Sequence, residues 1–264
     1  MSNTDLNRKR LKLSNSPPLV YVVGDVHGCL ALYSRLEDKI IADAQETVPD
    51  APILIVILGD LIDRGPKSAQ MLDLLLGRAP EKVTRMALAG NHEEMFLKFL
   101  DKPLPDAPWL DYGGRQTLNS YGLFPPKGKR FEDLGRRQLQ QSIAAVVPDD
   151  HIQLLRSFPV SLRIPGFLIC HAGLNIHAPL SEQTEYNLLW SKPADLDSDL
   201  TGTNSPPALR DLDTEETRVV HGHVPSVEPF ETSRRVSIDT GAYLSGVLTA
   251  ARLNKDATVK FLQT

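Results

Sequence analysis

The stretch Leu19-Val20-Tyr21-Val22-Val23-Gly24-Asp25-Val26-His27-Gly28 decides the fold class. Its first five residues are apolar and rich in β-branched side chains, so they read as a buried strand. Gly24 to Gly28 breaks that strand and leaves an acid and an imidazole at its end. Leu32, Leu36 and Ile40 then recur every fourth residue, the spacing of one helix face. The unit repeats. Ile53 to Leu58 is a second strand closed by Gly59-Asp60, and a helix with Met71, Leu72 and Leu75 on one face follows. Met86 to Ala89 reads as a third strand closed by Gly90-Asn91-His92, before a helix that opens with Met95, Phe96 and Phe99. Strand, loop and helix recurring at about 30–35 residues predict βαβ units and a parallel sheet. Open sheets of this kind bind ligands at the carboxyl ends of their strands.

The remainder is less regular. Residues 1 to 17 carry Arg8, Lys9, Arg10 and Lys12 against a single acid, Asp5, and read as a flexible, solvated arm. Prolines 103, 105, 108, 125 and 126 with Gly113-Gly114 mark an irregular excursion from Pro103 to Arg130. Asp149 and Asp150 are placed to cap a helix that buries Ile152 and Leu155. Val160 to Ile164 and Phe167 to Cys170 form an expected hairpin around Pro165-Gly166. A second excursion runs from Ala178 to Asp213. Short strands are expected at 218–220, 236–239, 247–253 and 258–262, which makes one α/β domain over 18–264.

Composition narrows the function classes. Apolar residues make up 41% and charged residues 23% of the 264, ordinary for a globular chain. With 29 basic and 33 acidic residues there is no basic excess to attract nucleic acid. The longest apolar run, Ile53 to Leu58, falls far short of the ~18 residues of a membrane span. The N-terminus is polar up to Pro17, so no signal peptide is expected. Two cysteines make no disulfide framework, which points to a reducing compartment, the cytoplasm. Cys29 and Cys170 are expected to be small buried hydrophobes. A monomer with no membrane or nucleic-acid partner is expected.

Histidine carries the main signal. Five of the seven histidines, His27, His92, His171, His221 and His223, fall at or just beyond strand ends, as do Asp25, Asp60, Asp63 and Asn91. Polar groups gathered at buried strand ends need partners, and a shared cation supplies them. An oxygen and imidazole donor set with no thiolate pair suits Mn²⁺, Fe or Zn²⁺ rather than a structural zinc knuckle. Singly, each motif has a plainer reading: Asp25 as a helix cap, Asp63-Arg64 as a surface ion pair, Asn91 as an N-cap, His171 as a satisfied buried histidine. Together the plain readings demand several coincidences. His151 and His177 show no partner pattern and read as surface or helix-end residues. Trp109 and Tyr112 either line a substrate rim or pack beneath a loop.

Six segments match one family: GDVHG at 24–28, GDLIDRG at 59–65, GNHE at 90–93, ICHAG at 169–173, HGHVP at 221–225 and IDTGAY at 238–243. The sequence resembles the metal-dependent phosphoprotein phosphatases, in particular the bacterial and phage-type serine/threonine members, within the calcineurin-like metallophosphoesterases. The resemblance implies a sandwich of two mixed β-sheets flanked by helices, and a phosphomonoester hydrolase with two divalent metals, Mn²⁺ foremost. It implies Asp25, His27 and Asp60 on the first metal. Asp60 would bridge to a second, which also takes Asn91, His171 and His223, with His221 behind them. A hydroxide between the metals would attack in line. His92, oriented by Asp63, would protonate the leaving alkoxide. Arg64 and Asn91 would hold the phosphate. Phage-type relatives place a second phosphate-binding arginine two residues after a tryptophan. Trp190-Ser191-Lys192 offers Lys192 there, and Arg210 is the other candidate.

The expected substrate is a phosphorylated protein or small phosphoester. The alternative is a symmetrical dinucleoside tetraphosphate hydrolase on the same fold, and a third is a non-catalytic binding module. Asp63-Arg64 and Glu93 stand on the protein-phosphatase side. Asp195, Asp197, Asp199, Asp211 and Asp213 outnumber Lys192 and Arg210 in the second excursion. As a rim to the cleft they would repel long polyanions and favour phosphosites in basic sequence. As a loop in solvent they would do neither.

Overall fold

The computed structural model describes residues 8–199 and 205–264. Strand β1 (Arg10–Lys12) is followed by β2 (Leu19–Val23), α1 (Leu30–Thr47), β3 (Ile53–Ile57), α2 (Ser68–Leu76), β4 (Val83–Ala87) and α3 (Asn91–Asp101). Helices α4 (Gly114–Ser120), α5 (Arg136–Val146) and α6 (Asp149–Ser157) lead to the hairpin β5 (Ser161–Ile164) and β6 (Phe167–Cys170). Then come α7 (Glu185–Trp190), α8 (Pro207–Thr214), β7 (Arg218–His221), β8 (Phe230–Glu231), β9 (Arg235–Ser237), α9 (Ala242–Ser245), β10 (Thr249–Leu253) and β11 (Val259–Gln263).

Two mixed sheets result, flanked by helices as expected. One has the order β11-β10-β2-β3-β4, the other β1-β5-β6-β7-β9-β8. Strands β2, β3 and β4 are parallel, and β10 runs antiparallel to β2. Side chains alternate across a strand, so each central strand serves two cores. Val20, Val22, Leu54 and Val56 pack between the sheets against Leu162, Phe167, Ile169, Val220 and Val236. Tyr21, Val23, Ile55 and Ile57 face the helices, where Leu36, Ile40, Met71, Leu72 and Phe96 cover them. Burial on both faces is why β2 and β3 read as unbroken apolar runs. No helix among the described residues is long and apolar enough to cross a membrane.

Several boundaries differ from the sequence reading. Strand β4 begins at Val83 and ends at Ala87, not over 86–89. It is an edge strand: Thr84 is exposed and Arg85 is held by Glu37 at 2.7 Å, so polar residues mask its start. Of the expected arm, residues 1–7 lie outside the described residues, but 10–12 form β1, paired in parallel with β5. Arg8 is buried, donating to the Leu155 and Phe158 carbonyls and to Glu185, so this basic run is anchored rather than solvated. Asp149 and Asp150 lie in the first turn of α6 behind Pro148, favoured by the helix dipole rather than capping it. The two excursions hold α4, α7 and α8, and α5 follows the first.

Ile55 sits fully buried at the centre of the helix-facing core. Ile55→Ala should destabilise the fold by about 2–5 kcal/mol through lost contact and the cavity left behind. A fall in the urea midpoint with unchanged slope is the expected signature.

Candidate metal centre and active site

The carboxyl ends of β2, β3, β4, β6 and β7 converge. Their loops bring together Asp25 and His27, Asp60, Asn91 and His92, His171, and His223. The loops are stitched by backbone hydrogen bonds: His27 N–H donates to Asp60 O at 2.7 Å, and Gly222 N–H to His171 O at 2.8 Å. Glu93 is buried and accepts from the backbone N–H groups of Asp60, Leu61 and Gly90, each at 2.8 Å. Burial pushes this carboxyl up to about 7, with nearby Asp60 adding to the effect. Gly222 approaches Asp25 so closely that a Cβ there would overlap the Asp25 Oδ1.

Among the described residues, nine other than glycine have positive φ, and five are here: His27 (44°), Asp60 (47°), Asp63 (71°), Arg64 (64°) and His223 (70°). Such conformations cost of order 1–3 kcal/mol each for residues of this kind and persist where surrounding contacts enforce them. Their concentration at one place marks a site shaped for chemistry rather than for stability.

The donor atoms test for a cation. His27 Nδ1 donates to the Ile62 carbonyl at 2.9 Å and His171 Nδ1 to that of Leu58 at 3.1 Å. Burial pushes the His27 ring down to about 3 and also lowers His171, so both rings are neutral and both Nε2 atoms are bare. These lone pairs face the Asp60 carboxylate at 3.6 and 3.5 Å, an arrangement of acceptors with no proton between them. His171 Nε2 and His223 Nδ1 lie 3.2 Å apart, with Asn91 Oδ1 at 2.7 and 3.1 Å. Asp25 Oδ1 is buried without a hydrogen-bond partner. Burial, with Asp239 and Asp60 nearby, raises the Asp25 carboxyl well above the carboxylate range. A cation relieves each of these conflicts, so the residues fit the expected metals. Ligand atoms of His27, Asp60 and His92 lie within 4.8 Å of one another, as do those of Asp60, His171 and His223. Asp60 belongs to both groups.

His92 is held differently. Its Nδ1 donates to Asp63 Oδ2 at 2.7 Å, and Asp63 also accepts from Trp109 Nε1 at 2.7 Å and Thr117 Oγ1 at 2.6 Å. Burial works against charge on His92, but Asp60 and Asp63 outweigh it and raise its pKa. Nε2 turns toward the site, 3.2 Å from Arg64 Nη2. The Arg64 guanidinium lies over the Tyr243 ring, 4.5 Å from its centroid, and that ring meets His27 edge-on.

Two residues do not join the site as expected. Lys192 is exposed in a groove beside Val224 to Ser226, and among the described residues no hydrogen bond joins it to Arg64 or Asn91. Arg210 is exposed on α8, and among the described residues no hydrogen bond joins it to the site. His221 faces away, its Nε2 at 3.3 Å from Arg235. The acidic rim is only partly free: Asp197 pairs with Arg235, Asp213 with Arg234, and Asp211 accepts from the Leu180 N–H, while Asp195 and Asp199 are exposed. His151 lies in the first turn of α6, a helix end as expected, but is buried rather than at the surface, between Tyr121 and Asp73. His177 is exposed, Cys170 is buried and Cys29 is half-buried.

Sequence reasoning missed the supporting groups. Glu93, Asp239 and Tyr243 lay inside the quoted motifs without an assigned role. Trp109 packs against Phe96 and Phe99 and supports Asp63 rather than lining a rim. Thr117 gave no signal, because nothing local distinguishes a helix threonine that reaches an acid 54 positions away.

A family profile described as Calcineurin-like phosphoesterase matches residues 18–246. Among curated proteins, the bis(5'-nucleosyl)-tetraphosphatase PrpE (asymmetrical) of Geobacillus thermodenitrificans is 27% identical over 249 residues, covering 90% of this chain and 91% of its own. The protein of the same name from Bacillus cereus strain AH820 is 27% identical over 251 residues, with 90% and 92% covered. A solved structure provisionally assigned as a diadenosine tetraphosphatase superposes with TM-score 0.60 at 21% identity, covering 97% of this chain and 98% of that one. The cold-active protein-tyrosine phosphatase of a Shewanella species gives 0.57 at 19% identity, with 100% and 85% covered. A Saccharomyces cerevisiae protein serine/threonine phosphatase gives 0.54 at 15%, with 97% and 83% covered. These three share the fold.

The geometry separates the two histidines around Gly222. His223→Ala should lower bound metal per chain, whereas His221→Ala should leave it unchanged. Metal analysis after equilibrium dialysis checks this, and the reverse pattern would exchange their roles.

Proposed function

The chain belongs to the calcineurin-like phosphoesterases, hydrolases with a dinuclear divalent metal centre, and from that premise we propose that it hydrolyses dinucleoside tetraphosphates asymmetrically. One observation carries the substrate class: the PrpE relatives align with about nine-tenths of both chains, so the likeness extends over the loops as well as the motifs. This favours the alternative reading of the sequence over the phosphoprotein reading put first, with asymmetrical cleavage in place of symmetrical. Asymmetrical cleavage of a four-phosphate chain leaves one phosphate on one nucleoside and three on the other.

Asp25, His27 and Asp60 would hold one metal, and Asp60, Asn91, His171 and His223 the other. With oxygen and imidazole donors alone, Mn²⁺ is the proposed ion. When bound, such a pair activates water and neutralises phosphoryl charge. Arg64, fixed over Tyr243, is placed to grip a phosphoryl oxygen and so align the chain for in-line attack. His92 presents Nε2 to the site while Asp63 holds Nδ1, the arrangement of a positioned general acid. Trp109 and Thr117 fix Asp63, and through it the ring.

A second reading, hydrolysis of phosphoserine or phosphothreonine, is favoured by that same dyad. An alkoxide leaving group needs a proton far more than a nucleoside phosphate does.

Two measurements test these readings. Chelation should abolish turnover of diadenosine tetraphosphate and added Mn²⁺ should restore it with AMP and ATP as products; two ADP would indicate symmetrical cleavage. A higher kcat/KM for phosphoserine peptides would move the protein to the second reading. His92→Asn should lower kcat by roughly 10²–10⁴ on a phosphoserine peptide and far less on the dinucleotide. Equal losses on both, at unchanged metal content, would remove the general-acid role.

A further inference from the structure

A groove of about 410 Å³ opens beside the metal site, within the ~300–1,000 Å³ range of small-molecule pockets. One wall is Val224, Pro225 and Ser226, which continue directly from His223. Lys192, Pro193 and Ala194 line it too, and Pro193 lies against Gly173 of the His171 loop. The groove therefore borders both histidine loops: Val224 follows His223 in the chain, and Pro193, which follows α7, packs on the loop that carries His171. Phe230 and Arg235 complete the lining, with the guanidinium over one face of the ring at 4.7 Å from its centroid. The lining is mostly apolar, and Val224 and Phe230 remain 49% and 36% exposed. Lys192 is exposed at the edge, and among the described residues no carboxylate pairs with it. Arg235, by contrast, is already paired with Asp197.

An apolar slot with an aromatic ring, an unpaired cation at its edge and a metal site next door matches one chemistry. That is a flat base and sugar joined to a polyphosphate. Nucleobases stack on aromatic faces, and an unpaired ammonium attracts phosphate oxygens. We infer that this groove seats one nucleoside of the dinucleotide, with Lys192 meeting the phosphate chain as it leaves the metal site. The inference rests on the proposed substrate class and assigns its recognition to residues 192–194, 224–226 and 230. Lys192 thus has a different task from the phosphate grip expected of it: it selects long phosphate chains rather than holding the reacting phosphoryl group.

Ala194→Trp would fill the groove and Phe230→Ala would remove its ring. The experiment measures kcat and KM for diadenosine tetraphosphate and for 4-nitrophenyl phosphate, which has no nucleoside, in both variants. AMP binding to each protein is titrated calorimetrically. The ratio of kcat/KM for the dinucleotide to that for the aryl phosphate should fall about tenfold, carried by KM, and AMP should bind correspondingly more weakly. A ratio and AMP affinity within twofold of the unaltered protein, in folded Phe230→Ala, would overturn the inference even if Ala194→Trp fails to fold. Failure of the unaltered protein to turn over the dinucleotide would instead refute the substrate class. Loss of phosphopeptide turnover with no change for the dinucleotide would give the groove to a peptide and overturn the inference as well.

Discussion

Asp60 is the residue on which the site depends. Its carboxylate lies within reach of His27, His92 and His171, so it belongs to both groups of candidate ligands. Its backbone ties the elements that deliver them. The carbonyl accepts from the His27 N–H, the N–H donates to Glu93, and Oδ1 accepts from the His92 N–H at 3.1 Å. One residue at the end of β3 thus fixes the loops after β2 and β4 by main chain and faces the His171 loop by side chain. It does so in a left-handed backbone conformation that is uncommon for any residue but glycine, although aspartate tolerates it better than most. The compensation is the Glu93 clamp, where three N–H groups converge on a single carboxylate.

That clamp explains why the strain is tolerated. Turning the chain sharply after β3 leaves the backbone N–H groups of Asp60 and Leu61 pointing away from any sheet partner. Unpaired in the interior, each would cost about 1–3 kcal/mol. A carboxylate on the first turn of α3 satisfies both, and the Gly90 N–H with them. The same economy holds His92, since the helix that presents Glu93 inward also presents its neighbour to Asp63. His92, Asp63 and Asp60 are consequently built on two adjacent strand ends, β3 and β4.

Much of this was legible in the sequence, for physical reasons. Strands buried on both faces write themselves as continuous apolar runs, which is how β2, β3 and β6 could be found. Polar residues at the ends of such runs stand out against that background, so the candidate ligands from Asp25 to His223 were visible. Edge strands and tethered segments were not. Strand β4 mixes Thr84 and Arg85 into its run, and β1 lies in a basic stretch whose Arg8 finds partners more than 140 positions away. Supporting residues were harder still. The partners of Asp63 come from Trp109 and Thr117 in an excursion that, on its prolines and glycines alone, looked irregular. Local sequence records which residues dislike their surroundings, but not which distant group consoles them.

The acidic excursion shows how far a charge count can mislead about a substrate. Five aspartates against one lysine and one arginine predict a rim that repels polyanions. In the fold, Arg234 and Arg235 arrive from β9 and its approach to take up Asp213 and Asp197, and Asp211 is spent on a backbone N–H. Neutralised pairs project little field beyond roughly 8–10 Å in physiological salt. Lys192 is left without a carboxylate partner among the described residues, at the edge of the groove that continues from His223. Asp195 and Asp199 stay exposed in the same segment and two of its five acids are ion-paired, so the rim keeps part of its negative charge. A fully negative rim would disfavour a chain of four phosphates, and pairing of Asp197 and Asp213 weakens that objection. The electrostatic argument for a phosphopeptide in basic sequence is therefore weakened by the pairing of Asp197 and Asp213, and a raw count over the segment overstates the charge that the fold leaves unpaired.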